Sequence, residues 1–138
     1  MANVIYPKYK EGLISGGANV NLSSGTVKID LIDTGAYTYS AAHDFRTTAN
    51  VPSASIIATT AALGSKTVTS GVFDAADTSF ATVTGTSCEA LIIWVDTGVA
   101  ATSTLVAYID TATGLPVTPN GNNINLTFDN GANKIFAL

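Results

Sequence analysis

The chain has little charge: 12% of its 138 residues are Asp, Glu, Lys or Arg, about half the usual share for a soluble domain. Its six basic residues are scattered and outnumbered by ten acidic ones. That excludes the clustered Lys and Arg patch needed to neutralise a phosphate backbone, so no nucleic-acid partner is expected. Cysteine is nearly absent. Cys88 stands alone, which excludes an intramolecular disulfide and a cysteine metal knuckle. Its place just before ALIIWV marks it as a buried structural thiol, compatible with folding in a reducing cytoplasm. Long apolar runs are missing too: none reaches the ~18 residues of a membrane span. MANVIYPKYKEG has no apolar h-region, and its positive charges follow its short apolar patch, so it does not read as a secretory signal.

What is present is a core. Hydrophobic residues make up 46% of the chain, enough for one packed domain. Three β-rich apolar segments run into acidic turns: VKIDLIDTG ending at Gly35, ALIIWVDTG at Gly98 and LVAYIDTATG at Gly114. In such turns an Asp carboxylate accepts backbone N–H groups two residues on, and Gly takes a positive φ that other residues resist. The recurrence therefore predicts strands closed by Asp-Thr-Gly turns.

Along the chain, residues 1–12 read as an extended, Tyr-bearing N-terminal arm, with Pro7 suited to an edge or a place outside a ladder. Residues 13–138 read as a single β domain. From Thr26 to Asp33, Val27, Ile29 and Leu31 alternate with Lys28, Asp30 and Ile32, the period of a strand. Ser40 is placed to cap a short helix through Ala41–Asn50. Residues Val51 to Ser65 read as a surface excursion with a short strand at Ile56–Ile57, and two β-prone runs follow Lys66. Cys88–Asp96 is a near-continuous apolar run, expected in the middle of a sheet or under a helix. Thr104–Asp110, INLTF and the terminal IFAL complete the set. About seven to nine short strands with at most one short helix predict an all-β fold, a β-sandwich or small barrel-like domain, with the sandwich preferred.

Few residues are arranged for chemistry. LIDTGA at Leu31–Ala36 resembles the active-site hexapeptide of retroviral-type aspartic proteases, and Asp96 begins a second DTG. That chemistry needs two strand-end carboxylates face to face. The apolar-apolar-Gly segment such a protease requires downstream is missing, since VAATSTLVAYID stands there, and structural Asp turns account for both motifs; a small aspartic protease is the remote alternative. His43, the sole histidine, has Asp44 beside it in sequence, where side chains on a strand diverge, and reads as a packed side chain. Asp74, Asp77, Asp129 and Asn130 are oxygen ligands in turns but lack the dense alternation of an EF-hand loop. No catalytic, cofactor-binding or metal residue is nominated, and no cofactor is expected. Tyr6, Tyr9, Tyr37 and Tyr39 gather towards the N-terminus, where Tyr suits a protein interface better than a sugar site.

KIDLIDTGAYTYSAAHDF, KTVTSGVFDAAD, DTATGLPVTPNG and the terminal DNGANKIFAL together resemble small virion structural proteins of tailed bacteriophages, from about Tyr6 to Leu138. The resemblance implies a non-enzymatic particle component of the capsid decoration or cement type. It would be made in the host bacterial cytoplasm and bind the outside of the major capsid protein lattice as a homo-oligomer, expected to be a homotrimer. A tail or head-fibre component, including one that binds host glycans, is the alternative. The expected contact residues are Tyr6 and Tyr9 in the arm and Ile135, Phe136 and Leu138 at the C-terminus. Deleting the residues before Lys10 is then expected to weaken particle binding without unfolding the domain.

Overall fold

The longest apolar run in the sequence forms the central strand of the molecule. In the computed structural model, which describes residues 3–138, the strands are β1 (Val4–Ile5), β2 (Thr26–Ile32), β3 (Ile56–Thr59), β4 (Thr67–Thr69), β5 (Val72–Asp74), β6 (Thr78–Phe80), β7 (Ala90–Asp96), β8 (Leu105–Ile109), β9 (Ile124–Leu126) and β10 (Phe136–Ala137). A single α-helix, α1, spans Pro7–Ser15, and two one-turn 3-10 helices cover Ser53–Ser55 and Ala100–Thr102. The fold is mainly β and antiparallel, a small β-sandwich.

The larger sheet has the order β1-β8-β7-β2-β3. Across its centre Val27, Ile29 and Leu31 lie opposite Val95, Ile93 and Leu91, while Lys28, Asp30 and Ile32 lie opposite Trp94, Ile92 and Ala90. Side chains alternate between faces along a strand, so β7 needs cover on both sides, and every residue from Ala90 to Val95 is buried. The Ile29/Leu91/Ile93 face is covered by a second layer of short strands in two separate pieces, β10-β5-β4 and β6-β9. The Asp30/Trp94 face is covered by the connection between β2 and β3, whose Arg46, Tyr37 and Tyr39 reach the sheet.

On that second face Asp30, with no exposed surface, is held bidentately by Arg46: Nε donates to Oδ2 at 2.6 Å and Nη2 to Oδ1 at 3.1 Å. Thr59 Oγ1 donates to Oδ1 at 2.7 Å. The guanidinium also lies 4.1 Å from the Trp94 ring centroid, the stacked placement that favours a planar cation over an aromatic face. A charge so buried is tolerated only with its partners in place.

Two expectations about the first fifty residues are corrected. The arm is not extended through residue 12: beyond β1 it becomes α1, and Met1 and Ala2 lie outside the described residues. Pro7 sits in the first helical turn, where its fixed φ and missing N–H carry no penalty, and Gly16 closes the helix in the left-handed conformation at φ 70°. Ala41–Asn50 is not helical. Ser40 Oγ accepts only the Ala42 N–H, at 3.2 Å. The chain is then drawn along the sheet, where Phe45 bridges Thr104, the Arg46 N–H donates to Ser103 O and the Arg46 side chain turns to Asp30. A helix there would give up that cover over Trp94.

Candidate functional site

The Asp-Thr-Gly motifs are the first place to look for chemistry. Asp33 Oδ1 accepts the Gly35 N–H at 2.7 Å, and Asp96 Oδ1 accepts the Gly98 N–H at 2.8 Å. Each is the turn bond expected of Asp. Gly98 and Gly114 take positive φ, at 83° and 92°. Gly35 does not; a Cβ there would lie 2.9 Å from Asp33 Oδ1, so the Asp33 carboxylate would have to give way. The two motifs do not meet. Ile32 pairs with Ala90 and Thr26 with Asp96, so Asp33 and Asp96 stand at opposite ends of the β2/β7 pair, about 20 Å apart at strand rise. Thr86 Oγ1 occupies the other oxygen of Asp33 at 2.8 Å, and Lys28 Nζ that of Asp96 at 2.7 Å. The Lys28 bond, with the Gly98 N–H, holds the Asp96 carboxyl below the ordinary carboxylate range.

Among the remaining acids, Asp77 Oδ1 accepts the Phe128 N–H at 2.8 Å and so ties the end of β9 to the start of β6. No group of three His, Cys, Asp or Glu among the described residues is placed to hold a metal ion. Cys88 is buried, donates its thiol to Thr86 O at 3.3 Å, and has its pKa pushed up to about 11, chiefly by burial. Among the described residues no helix is long and apolar enough to cross a membrane.

The tyrosines do converge, but inside the domain. Tyr6 has no exposed surface and Tyr9 and Tyr37 almost none. The hydroxyls of Tyr6 and Tyr37 are 2.6 Å apart, and Tyr37 Oη is 3.2 Å from His43 Nδ1. The rings of Tyr39 and Tyr108 pack at 5.4 Å, and Tyr39 lies 5.4 Å from Tyr6. Tyr9 donates to Val20 O at 2.9 Å. Burial drives the Tyr6 hydroxyl far above its usual range and those of Tyr9 and Tyr37 to about 12; desolvation lowers His43. As contact residues Tyr6 and Tyr9 are therefore corrected: both are core side chains that anchor β1 and α1 to the sheet.

The C-terminal residues fare differently. Ile135 and Phe136 are half-buried, and Leu138 is 64% exposed. Leu138 and Phe136 line a shallow, mostly apolar depression of about 240 Å³ together with Tyr9, Leu13, Leu22, Val68 and Phe73. Val68 is 53% exposed, Leu13 37%, and Ile14, next to Leu13 on α1, 89%. Leu13, Val68 and Leu138, three of the five large exposed apolar side chains of the described residues, thus line one seam between α1 and the β10-β5-β4 sheet. Ile14 and Val99 are not among the residues that line it.

Local geometry explains the seam. Val68 pairs with Phe73, and Phe73 with Phe136, so the three share one sheet face. The Phe73 and Phe136 rings pack at 5.5 Å, and α1 sits beside them without closing over Val68 and Leu138. Beyond Val68 the sheet simply stops: β4 pairs only with β5, and Thr67, Val68 and Thr69 are all exposed. Natural edges are ordinarily guarded by lysine, proline or a bulge. This one carries none within the strand, and the adjacent Lys66 turns its Nζ back to Gly25 O. Leu13 and Val68, exposed at this seam, were not among the expected contact residues. TVT has the alternation of an edge strand, but only the folded sheet shows which of its edges stays open. Comparison with protein-family models and with curated proteins gives no match.

Proposed function

We propose that the chain is a non-enzymatic structural protein of a tailed-phage virion, a capsid decoration or cement protein that binds the outside of the major capsid protein lattice and stabilises the head. The observation that carries the reading is the open seam of Leu13, Val68 and Leu138 beside the unguarded edge of β4. An apolar patch flanked by free strand edge suits protein contact by burial and strand addition. The low charge of the chain leaves little electrostatic repulsion between closely spaced copies, and many weak contacts on a repeating shell act together. The likeness of several segments to small phage virion proteins supplies the particle.

A homotrimer is part of the proposal. The short sheet ends in two different strands, β4 and β10. Contact between unlike edges of successive copies is heterologous, the kind that closes into rings when the rotation permits.

The test is reconstitution: purified protein mixed with heads lacking it, imaged by cryo-electron microscopy, with size exclusion of the free protein alongside. Regular density over the shell, with the seam buried against capsid or a neighbouring copy, is the expected result. Bare heads with folded protein in solution would overturn the decoration role and direct the search to tail and fibre.

A further inference from the structure

The chain holds two Asn-Gly pairs in exposed turns, Asn120-Gly121 and Asn130-Gly131, and the fold treats them oppositely. At the first, Asn120 Oδ1 accepts the Asn122 N–H at 3.1 Å, and the Gly121 N–H donates to Val83 O at 2.8 Å. Both groups that would have to react are occupied. At the second, the only hydrogen bond is from Lys134 Nζ to the backbone carbonyl of Asn130, at 3.4 Å; the Asn130 side-chain amide and the Gly131 N–H have no partner within the described residues. A Cβ at 131 would lie 2.7 Å from Asp129 Oδ2, so the Asp129 carboxylate stands beside Gly131 without accepting its N–H. The Gly131 nitrogen, in a residue with no side chain of its own, is thus not tied up by a hydrogen bond within the described residues.

We propose that Asn130 is a site of spontaneous backbone-assisted deamidation and that Asn120 is protected from it. The Gly131 nitrogen gives up its proton and attacks Asn130 Cγ. A C–N bond forms, the bond to the side-chain nitrogen breaks, and that nitrogen leaves as ammonia with the released proton. Water then opens the five-membered imide at one carbonyl or the other, leaving aspartate or isoaspartate at 130. Overall one water is consumed and one ammonia released, with no change of oxidation state.

The consequences are local and one-directional. The product adds a negative charge to a chain already at −4, next to Asp129. Where isoaspartate forms, a methylene is inserted into the main chain just ahead of Ile135 and β10. Ile135 is held by its N–H to Phe73 O at 3.1 Å, and Leu138 by its N–H to Gly71 O at 2.9 Å, so the lengthened main chain loosens the tether of the strand that carries Leu138. The chemistry itself does not depend on the virion reading.

The test incubates the folded full-length protein at mildly alkaline pH and physiological temperature, with a parallel sample in urea. Peptide mapping by mass spectrometry, with a fragmentation method that separates isoaspartate from aspartate, follows both pairs. In the folded protein residue 130 is expected to convert on the order of tenfold faster than residue 120, the factor expected from breaking the bonds that hold Asn120 and Gly121. In urea the two rates converge. Asn130→Gln removes the product from the C-terminal peptide. Equal rates in the folded protein, faster loss at Asn120, or a residue 130 that reacts only in urea would each overturn the assignment.

Discussion

The two layers of the sandwich are built to different standards. β2 and β7 run seven residues each and are buried along nearly their whole length, whereas no strand of β4, β5, β6, β9 or β10 exceeds three residues, and β4 is wholly exposed. One layer carries a buried ion pair, a stacked Trp and a packed tyrosine cluster; the other is split in two and leaves an apolar seam at its margin. Stability and availability for contact are thus separated in space. Regions with few buried contacts and exposed ladder bonds open most easily, which in the proposed role is where a partner would complete the structure.

The largest break in this division should come from the N-terminus. Deleting the residues before Lys10 removes Tyr6 and Tyr9 from the core and the first turn of α1. We expect loss of the cooperative unfolding transition in circular dichroism, in place of the folded but weakly binding domain anticipated for an exposed arm. Arg46→Ala comes next: with the buried Asp30 carboxyl left without its partner, unfolding in urea should show a loss of about 3–5 kcal/mol. A loss under 1 kcal/mol, well below the ~3–5 expected for a broken buried pair, would mean that the layer does not rest on that pair.

Alkali should act on the same layer. The raised hydroxyls of Tyr9 and Tyr37, about 12 in the folded chain against the usual 10, contribute stability that is fully present below pH 10 and lost as pH climbs through 12. Phenolate absorbance is expected to lag a free-tyrosine control and to rise together with unfolding. Cys88 should behave alike on a smaller scale. A thiol raised to about 11 and buried should resist alkylation at neutral pH and react promptly once urea is added. The smallest effect on stability is expected at the seam: Val68→Lys should change unfolding free energy by no more than about 0.5 kcal/mol, yet reduce occupancy on heads. Strong destabilisation there would erase the distinction between the layers.

How much of this was legible in the sequence follows the same line. The long strands announced themselves: Thr26–Asp33 and Cys88–Asp96 were expected, and Thr26–Ile32 and Ala90–Asp96 form, because period-two alternation and an unbroken apolar run directly express one-sided and two-sided burial. Thr104–Asp110 against Leu105–Ile109 is as close. α1 was not seen, because Pro7 was placed at a strand edge or outside a ladder when it also fits the first turn of a helix. The helix predicted at Ala41–Asn50 failed for a nonlocal reason. Arg46 has a buried partner sixteen residues away in the sequence, and no local propensity reports that. Of the expected contact residues, Leu138 stays available while Tyr6 and Tyr9 do not, since composition can say that tyrosines are present but not which side of the sheet wall they fall on.

The most direct test of the division is amide hydrogen exchange on the protein free and bound to heads. The account predicts that in the free protein β7 is the slowest segment to exchange and β4 and β10 among the fastest. On binding, protection should rise at residues 13, 67–71 and 136–138 and remain unchanged in 90–96. Protection gained instead over the Asp30–Arg46 face, or no gain at the seam on heads that do carry the protein, would contradict it.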